Sequence, residues 1–152
     1  IPGFIGQGPL QAPSVFNFFS PFYAPPGEIL DQGLVAPEMQ LATEYLNSLI
    51  TNYFFILAYC YNDAPVQGCP VVPPEIAQDL VIIDTSAERA LAADPQALVS
   101  RIADKLAGGS ISATLRAQAV AMVQAVPASE TSLRVAEAHY LISTSPELAL
   151  QR

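Results

Sequence analysis

From Tyr45 to Asn62 the chain carries no charged side chain. Apolar residues recur there at helical spacing. Leu41, Tyr45, Leu49 and Tyr53 fall four apart, and Leu46, Ile50 and Leu57 widen the stripe. A helix this apolar and this poor in charge must be covered on most of its surface, either by lipid or by protein. Asn47, Ser48, Thr51 and Asn52 interrupt the pattern, and the unbroken apolar run reaches only from Tyr53 to Tyr61. That is short of the ~18–20 residues a bilayer crossing requires. The pattern therefore predicts a long buried helix over residues 37–62 and argues against a membrane span. Pro37 suits the first helical position, and Glu38 suits the positive end of the helix.

The segment before that helix, residues 1–36, is dense in proline, glycine and aromatics. Phe16, Phe18, Phe19, Phe22 and Tyr23 crowd together, punctuated by Pro13, Pro21, Pro25 and Pro26. Each proline fixes its own φ and biases the preceding residue toward extended backbone. This reads as an extended strap whose aromatics pack on something, since disordered linkers lack such residues. Residues 63–93 form a loop-rich connection with turn signals at Asn62-Asp63, Pro65, Gly68, Pro70, Pro73 and Pro74. Within it, Leu80 to Ile83 is a short apolar stretch, and a short helix is expected over about 86–92.

Residues 94–152 are punctuated as helices. Asp94-Pro95 is an N-cap followed by proline at the first helical position, and Gly108-Gly109 is a stop. Leu98, Ile102 and Leu106 make the stripe between them. Ser112 caps a second helix with Leu115, Ala119, Met122 and Val126 inward. Ser129 opens a third, with Leu133, Ala136 and Tyr140 on its stripe and Val135 and Ile142 beside it. Ser145-Pro146 starts a final turn. Short loops between such helices imply antiparallel neighbours. The expected fold class is mainly α: an irregular helical bundle with an extended N-terminal strap, forming one domain that belongs to a larger helical protein.

Charge excludes some functions. Every basic residue, from Arg89 to Arg152, lies after position 88, whereas residues 1–88 hold nine carboxylates and no cation. Such a half repels both a phosphate backbone and an anionic membrane, so no nucleic-acid partner is expected. Chemistry is sparse. His139 is the sole histidine and lies at the edge of an apolar stripe, where a packed, hydrogen-bonded ring is the simpler reading than a catalytic one. Glu28 and Asp31 read as a solvated turn. No catalytic residue, cofactor or metal site is assigned. Cys60 and Cys69 are the only cysteines. They are either two buried thiols or a disulfide pinning a loop of about ten residues, worth about 2.7 kcal/mol on the chain-entropy model. Their placement, at a helix end and in a Pro/Gly-rich loop, makes loop-pinning sensible.

Three stretches carry a resemblance: GQGPLQAPSVFNFFSPFYAPPGEILDQGLVAPEMQ over residues 6–40, DPQALVSRIADKLAGGSIS over 94–112, and the closing YLISTSPELALQR over 140–152. Together they resemble the C-terminal region of the bacterial family called domain of unknown function 1800. Leu150 stands where valine is common in that family, and residues 58–90 show little likeness. The resemblance implies a helical, exported protein several hundred residues long, of which Ile1 is an internal position. Export makes a Cys60–Cys69 disulfide reasonable. The family supplies no catalytic residues. Pro13, Ser14, Phe16, Asn17, Pro21, Pro25, Pro26, Pro37 and Glu38 match its strap and helix-start motif, and they are expected to anchor the strap.

The expectation is therefore an extracytoplasmic protein (periplasmic, cell-surface or secreted) with a structural or assembly role. Its partner is the remainder of its own polypeptide or another protein chain. Two alternatives stand beside it. One is the non-catalytic portion of a secreted or periplasmic hydrolase. The other is a subunit of a membrane-associated complex using Tyr53 to Tyr61 as its contact.

Overall fold

The computed structural model describes residues 20–41, 43–70 and 81–149. Pro13, Ser14, Phe16, Asn17 and most of the expected strap lie outside these residues. The chain divides into two compact units, residues 1–53 and 54–152. The described elements are mainly helical: α1 (Glu28–Asp31), a 3-10 turn (Pro37–Leu41), α2 (Glu44–Tyr59), α3 (Ser86–Arg89), α4 (Pro95–Ala107), α5 (Ala113–Ala125), α6 (Thr131–Ser143) and α7 (Pro146–Ala149). The described residues contain no strand, only a single parallel bridge between Asn62 and Ile83.

In the first unit the chain turns back on itself between Tyr23 and Ala36. Gly27 enters the one-turn helix α1 at φ 117°, a conformation few other residues adopt. Leu34 N–H then reaches the Ile29 carbonyl at 2.9 Å, and Ala36 N–H reaches Tyr23 at 2.8 Å. The Glu28 carboxylate accepts from the Gln32 amide at 2.8 Å, which makes it part of an exposed turn. Pro21 and Pro26 are exposed, while Pro25 and Pro37 are half-buried. Among the described residues of this unit only Ala36 is buried.

The long helix is shorter than the 37–62 read from the sequence. Residues Pro37–Leu41, which include Glu38, form a 3-10 turn instead. The α-helix begins after Thr43, whose Oγ1 accepts from Leu46 N–H at 3.2 Å and whose carbonyl accepts from Asn47 N–H. No residue of α2 is buried.

In the second unit α4, α5 and α6 pack on one another, with α3 against α4 and α6. Their shared core is Leu98, Val99, Ile102, Ala119, Val123, Val135, Ala138 and Ile142. Burying each Leu, Ile or Val contributes roughly 1.5–3 kcal/mol. The helix ends follow local chemistry. The Asp94 carboxylate accepts from Gln96 N–H and Ala97 N–H at 3.1 Å each. Gly108 closes α4 at φ 55°, and Ser112 Oγ accepts from Leu115 N–H at 3.0 Å. The third helix departs from expectation. It starts at Thr131, with Glu130 rather than Ser129 before it. Val135, Ala136, Ala138 and Ile142 face inward, leaving Leu133 and Tyr140 half-buried. Met122 and Leu106 also sit near the surface, 41% and 38% exposed.

One polar side chain holds the bundle's ends. Arg134 is 7% exposed. Its Nε and Nη2 donate to the Val126 carbonyl at 2.9 and 2.7 Å, and Nη1 donates to the Ala92 carbonyl at 2.7 Å. Val126 follows α5, so the guanidinium meets the negative end of that helix. Among the described residues no carboxylate pairs with it.

A second tie secures the loop after α2. Asn62 Nδ2 donates to the Ala58 carbonyl at 2.9 Å and covers an open carbonyl at the helix end. Cys60 and Cys69 are joined by a disulfide, with Cα atoms 5.4 Å apart. Next along the chain, Asp63 Oδ1 accepts from Thr85 N–H (2.8 Å), Thr85 Oγ1 (2.7 Å) and Arg89 Nη1 (2.7 Å). Asp63 Oδ2 accepts from Arg89 Nη2 at 2.8 Å. This fork-on-fork geometry is among the stronger polar contacts available to a partly exposed pair. The Arg89 guanidinium and then the Thr85 donors hold the Asp63 carboxyl well below the usual carboxylate range.

Two predictions follow from these ties. Arg134→Met leaves the Ala92 and Val126 carbonyls without their donor, and the chain should lose about 2–4 kcal/mol in urea unfolding. Asp63→Asn should cost about 1–2 kcal/mol at neutral pH, the smaller end reflecting solvent screening. Because the folded carboxyl titrates below its unfolded value, its contribution is complete above about pH 4 and is lost as pH falls below that. The acid limb of a stability-versus-pH curve should therefore be shallower in Asp63→Asn than in the unaltered chain.

Candidate functional site

A cavity of about 280 Å³ opens in the second unit. Four stretches of chain wall it. Phe54, Leu57 and Ala58 come from α2, Ile83, Asp84 and Thr85 from the segment leading into α3, and Lys105, Leu106, His139 and Ser143 from α4 and α6. The second wall is held in place by ties already described, the Asn62–Ile83 bridge and the grip of Asp63 on Thr85. The first is held by aromatic packing. Phe55 stacks on Tyr59 at 4.4 Å, and both meet Tyr140 of α6 edge-on at 5.8 and 5.9 Å. Burial and the neighbouring Glu137 carboxylate push the Tyr59 phenol far above its ordinary range.

Behind the cavity lies a charge cluster. Glu88, on α3, is fully buried. Its Oε1 is met by Lys105 Nζ at 2.6 Å and Arg101 Nε at 2.9 Å. Burial alone would raise the Glu88 carboxyl, but Lys105, its own backbone N–H and Arg101 outweigh burial and hold it below the usual range. Its Oε2 has no hydrogen-bond partner. His139 stands close enough to feel both Glu88 and Lys105. Burial nevertheless dominates and lowers its pKa, so the ring is neutral at pH 7.

His139 is packed, as the sequence reading expects, but its Nε2 is buried without a hydrogen-bond partner. Glu88 and Lys105 are absent from that reading. The available signal was the four-residue spacing of Arg101 and Lys105, which puts two cations on one face of α4. No described group of three or more His, Cys, Asp or Glu residues could hold a metal ion. The described residues Pro21, Pro25, Pro26 and Pro37 belong to the first unit.

The other feature of note is apolar surface. Phe22 is 85% exposed, Tyr45 70% and Val81 83%. Phe55 and Ile56 of α2 also face outward. No helix among the described residues is long and apolar enough to cross a membrane.

Comparison with known proteins found no match among curated proteins and none among solved structures. A family model described as protein of unknown function (DUF1800) matches residues 4–150, nearly the whole chain. That span takes in the strap motif, the α4–α5 pair and the closing YLISTSPE stretch, and on this evidence the chain belongs to the DUF1800 family.

Proposed function

We propose that the chain is a structural or assembly part of an extracytoplasmic protein, working by contact with another protein surface. That surface is either the remainder of its own polypeptide or a second chain. The observation that carries this reading is helix α2, which has no charge after Glu44 and no buried residue. Apolar surface left in water costs roughly 25 cal/mol per Å², and soluble monomers rarely present it in large continuous patches. The first unit supports the same reading, since Ala36 is its only buried described residue. The Cys60–Cys69 disulfide supports an oxidising compartment, because cytosolic proteins seldom keep such bonds.

Sedimentation velocity on the 152-residue chain over a rising concentration series tests the proposal. Concentration-dependent association is expected, and replacing Tyr45 and Ile56 with Gln should reduce it. A monodisperse monomer that unfolds in one cooperative step would contradict the proposal.

A further inference from the structure

Two surfaces of the chain have opposite deficits of charge. The first is the turn from Glu28 to Val35 in the first unit. Leu30, Leu34 and Val35 are each 54% exposed, and Glu28 and Asp31 are exposed in the same turn. Gly27 and the bond from Leu34 N–H to the Ile29 carbonyl fix the backbone that presents them. The Glu28 carboxylate accepts from Gln32, but the Asp31 carboxylate has no partner among the described residues. Residues 1–88 contain no Lys or Arg that could supply one.

The second surface is an open groove of about 510 Å³ on the second unit. Gln96 and Ser100 of α4 and Arg116, Ala117, Val120 and Ala121 of α5 line it, and no carboxylate is among the described residues of its lining. Arg116 is half-buried. Its Nη1 donates to Ser100 Oγ at 3.0 Å and its Nη2 to the Gly109 carbonyl at 3.4 Å. A guanidinium has five N–H donors, so others stay available. The Glu147 carboxylate, near the start of the same helix, accepts from the Ser112 N–H at 2.7 Å and from the Ser112 hydroxyl. No carboxylate among the described residues pairs with Arg116.

The two surfaces complement each other, and neither complements itself. Turn against turn would set carboxylate on carboxylate, and groove against groove would set guanidinium on guanidinium. Turn against groove sets an unpaired anion on an unpaired cation and brings apolar side chains onto Ala117, Val120 and Ala121. A contact of that kind is head-to-tail. Resting on the reading that the chain works by protein contact, we propose that the groove between α4 and α5 receives the Glu28–Val35 turn of a second copy. The Asp31 carboxylate pairs with Arg116, and Leu30, Leu34 and Val35 cover the apolar wall of the groove.

Sedimentation velocity of the full chain at low ionic strength tests this by charge exchange. Asp31→Arg and Arg116→Asp should each weaken self-association ~10-fold or more, because each sets like charges against one another. An equimolar mixture of the two variants should associate about as tightly as the unaltered chain, since every contact between unlike copies then pairs a cation with a carboxylate. A mixture no tighter than either variant alone, with both folded, would overturn the proposal. So would unchanged association in Asp31→Arg, an exposed position, whether or not Arg116→Asp folds. Association that Tyr45→Gln and Ile56→Gln weaken but Asp31→Arg does not would overturn this contact and leave the broader reading standing. A chain that stays monomeric at every concentration would end both.

Discussion

The second unit depends on one carboxylate. Asp63 sits just past the disulfide loop and receives four donors from Thr85 and Arg89, more than twenty residues along the chain. Without it, the segment Ile83–Thr85 would be tied to the loop only by the backbone bonds of the Asn62–Ile83 bridge. That segment is one wall of the cavity and leads directly into α3, which presents the buried Glu88. A partly exposed residue thus fixes the position of a fully buried one. The geometry explains why the tie is effective despite its exposure, since the guanidinium and carboxylate meet as two parallel bonds and need little further ordering.

A chain with few charges uses several of them away from solvent. Arg134 is buried on two backbone carbonyls, and Glu88 is buried under two cations. Removing one partner from such an arrangement leaves an uncompensated polar group, which costs more than the contact itself contributes. These groups therefore act more as constraints on which packing is allowed than as sources of net stability. Arg134 requires the ends of α5 and of the α3 turn to arrive at the same place. The hydrophobic core of α4, α5 and α6 alone would specify that less sharply.

What was legible in the sequence was the local chemistry. Asp94-Pro95, Gly108 and Ser112 mark helix ends by side-chain or backbone geometry within a few residues, and they stand where expected. Ser129 was misleading because a serine near a helix start resembles a cap whether or not its hydroxyl reaches an open N–H, and α6 begins at Thr131 without a side-chain cap. The inward face of α6 lies a little off the stripe that periodicity predicts. A buried arginine belongs to that face, and a periodicity argument places cations outside. The contacts of Asp63 and Glu88 are not legible for another reason: their partners lie 13 to 26 residues away. For α2, periodicity identified the apolar stripe but could not say what covers it. The membership in the DUF1800 family was legible, because the strap and helix motifs are written in consecutive residues.

The same helix carries the functional account. Its C-terminal end is fastened by the aromatic contacts of Phe55 and Tyr59, by Asn62 and by the disulfide. None of its apolar side chains is fully buried in this chain. Amide hydrogen exchange across Glu44–Tyr59 tests this most directly, measured in the isolated chain and in the protein as its cell assembles it. The account predicts rapid exchange in the isolated chain, at least through the half before Phe54, and strong protection in the assembled protein. Equal protection in both, at the level of α4 and α6, would contradict it.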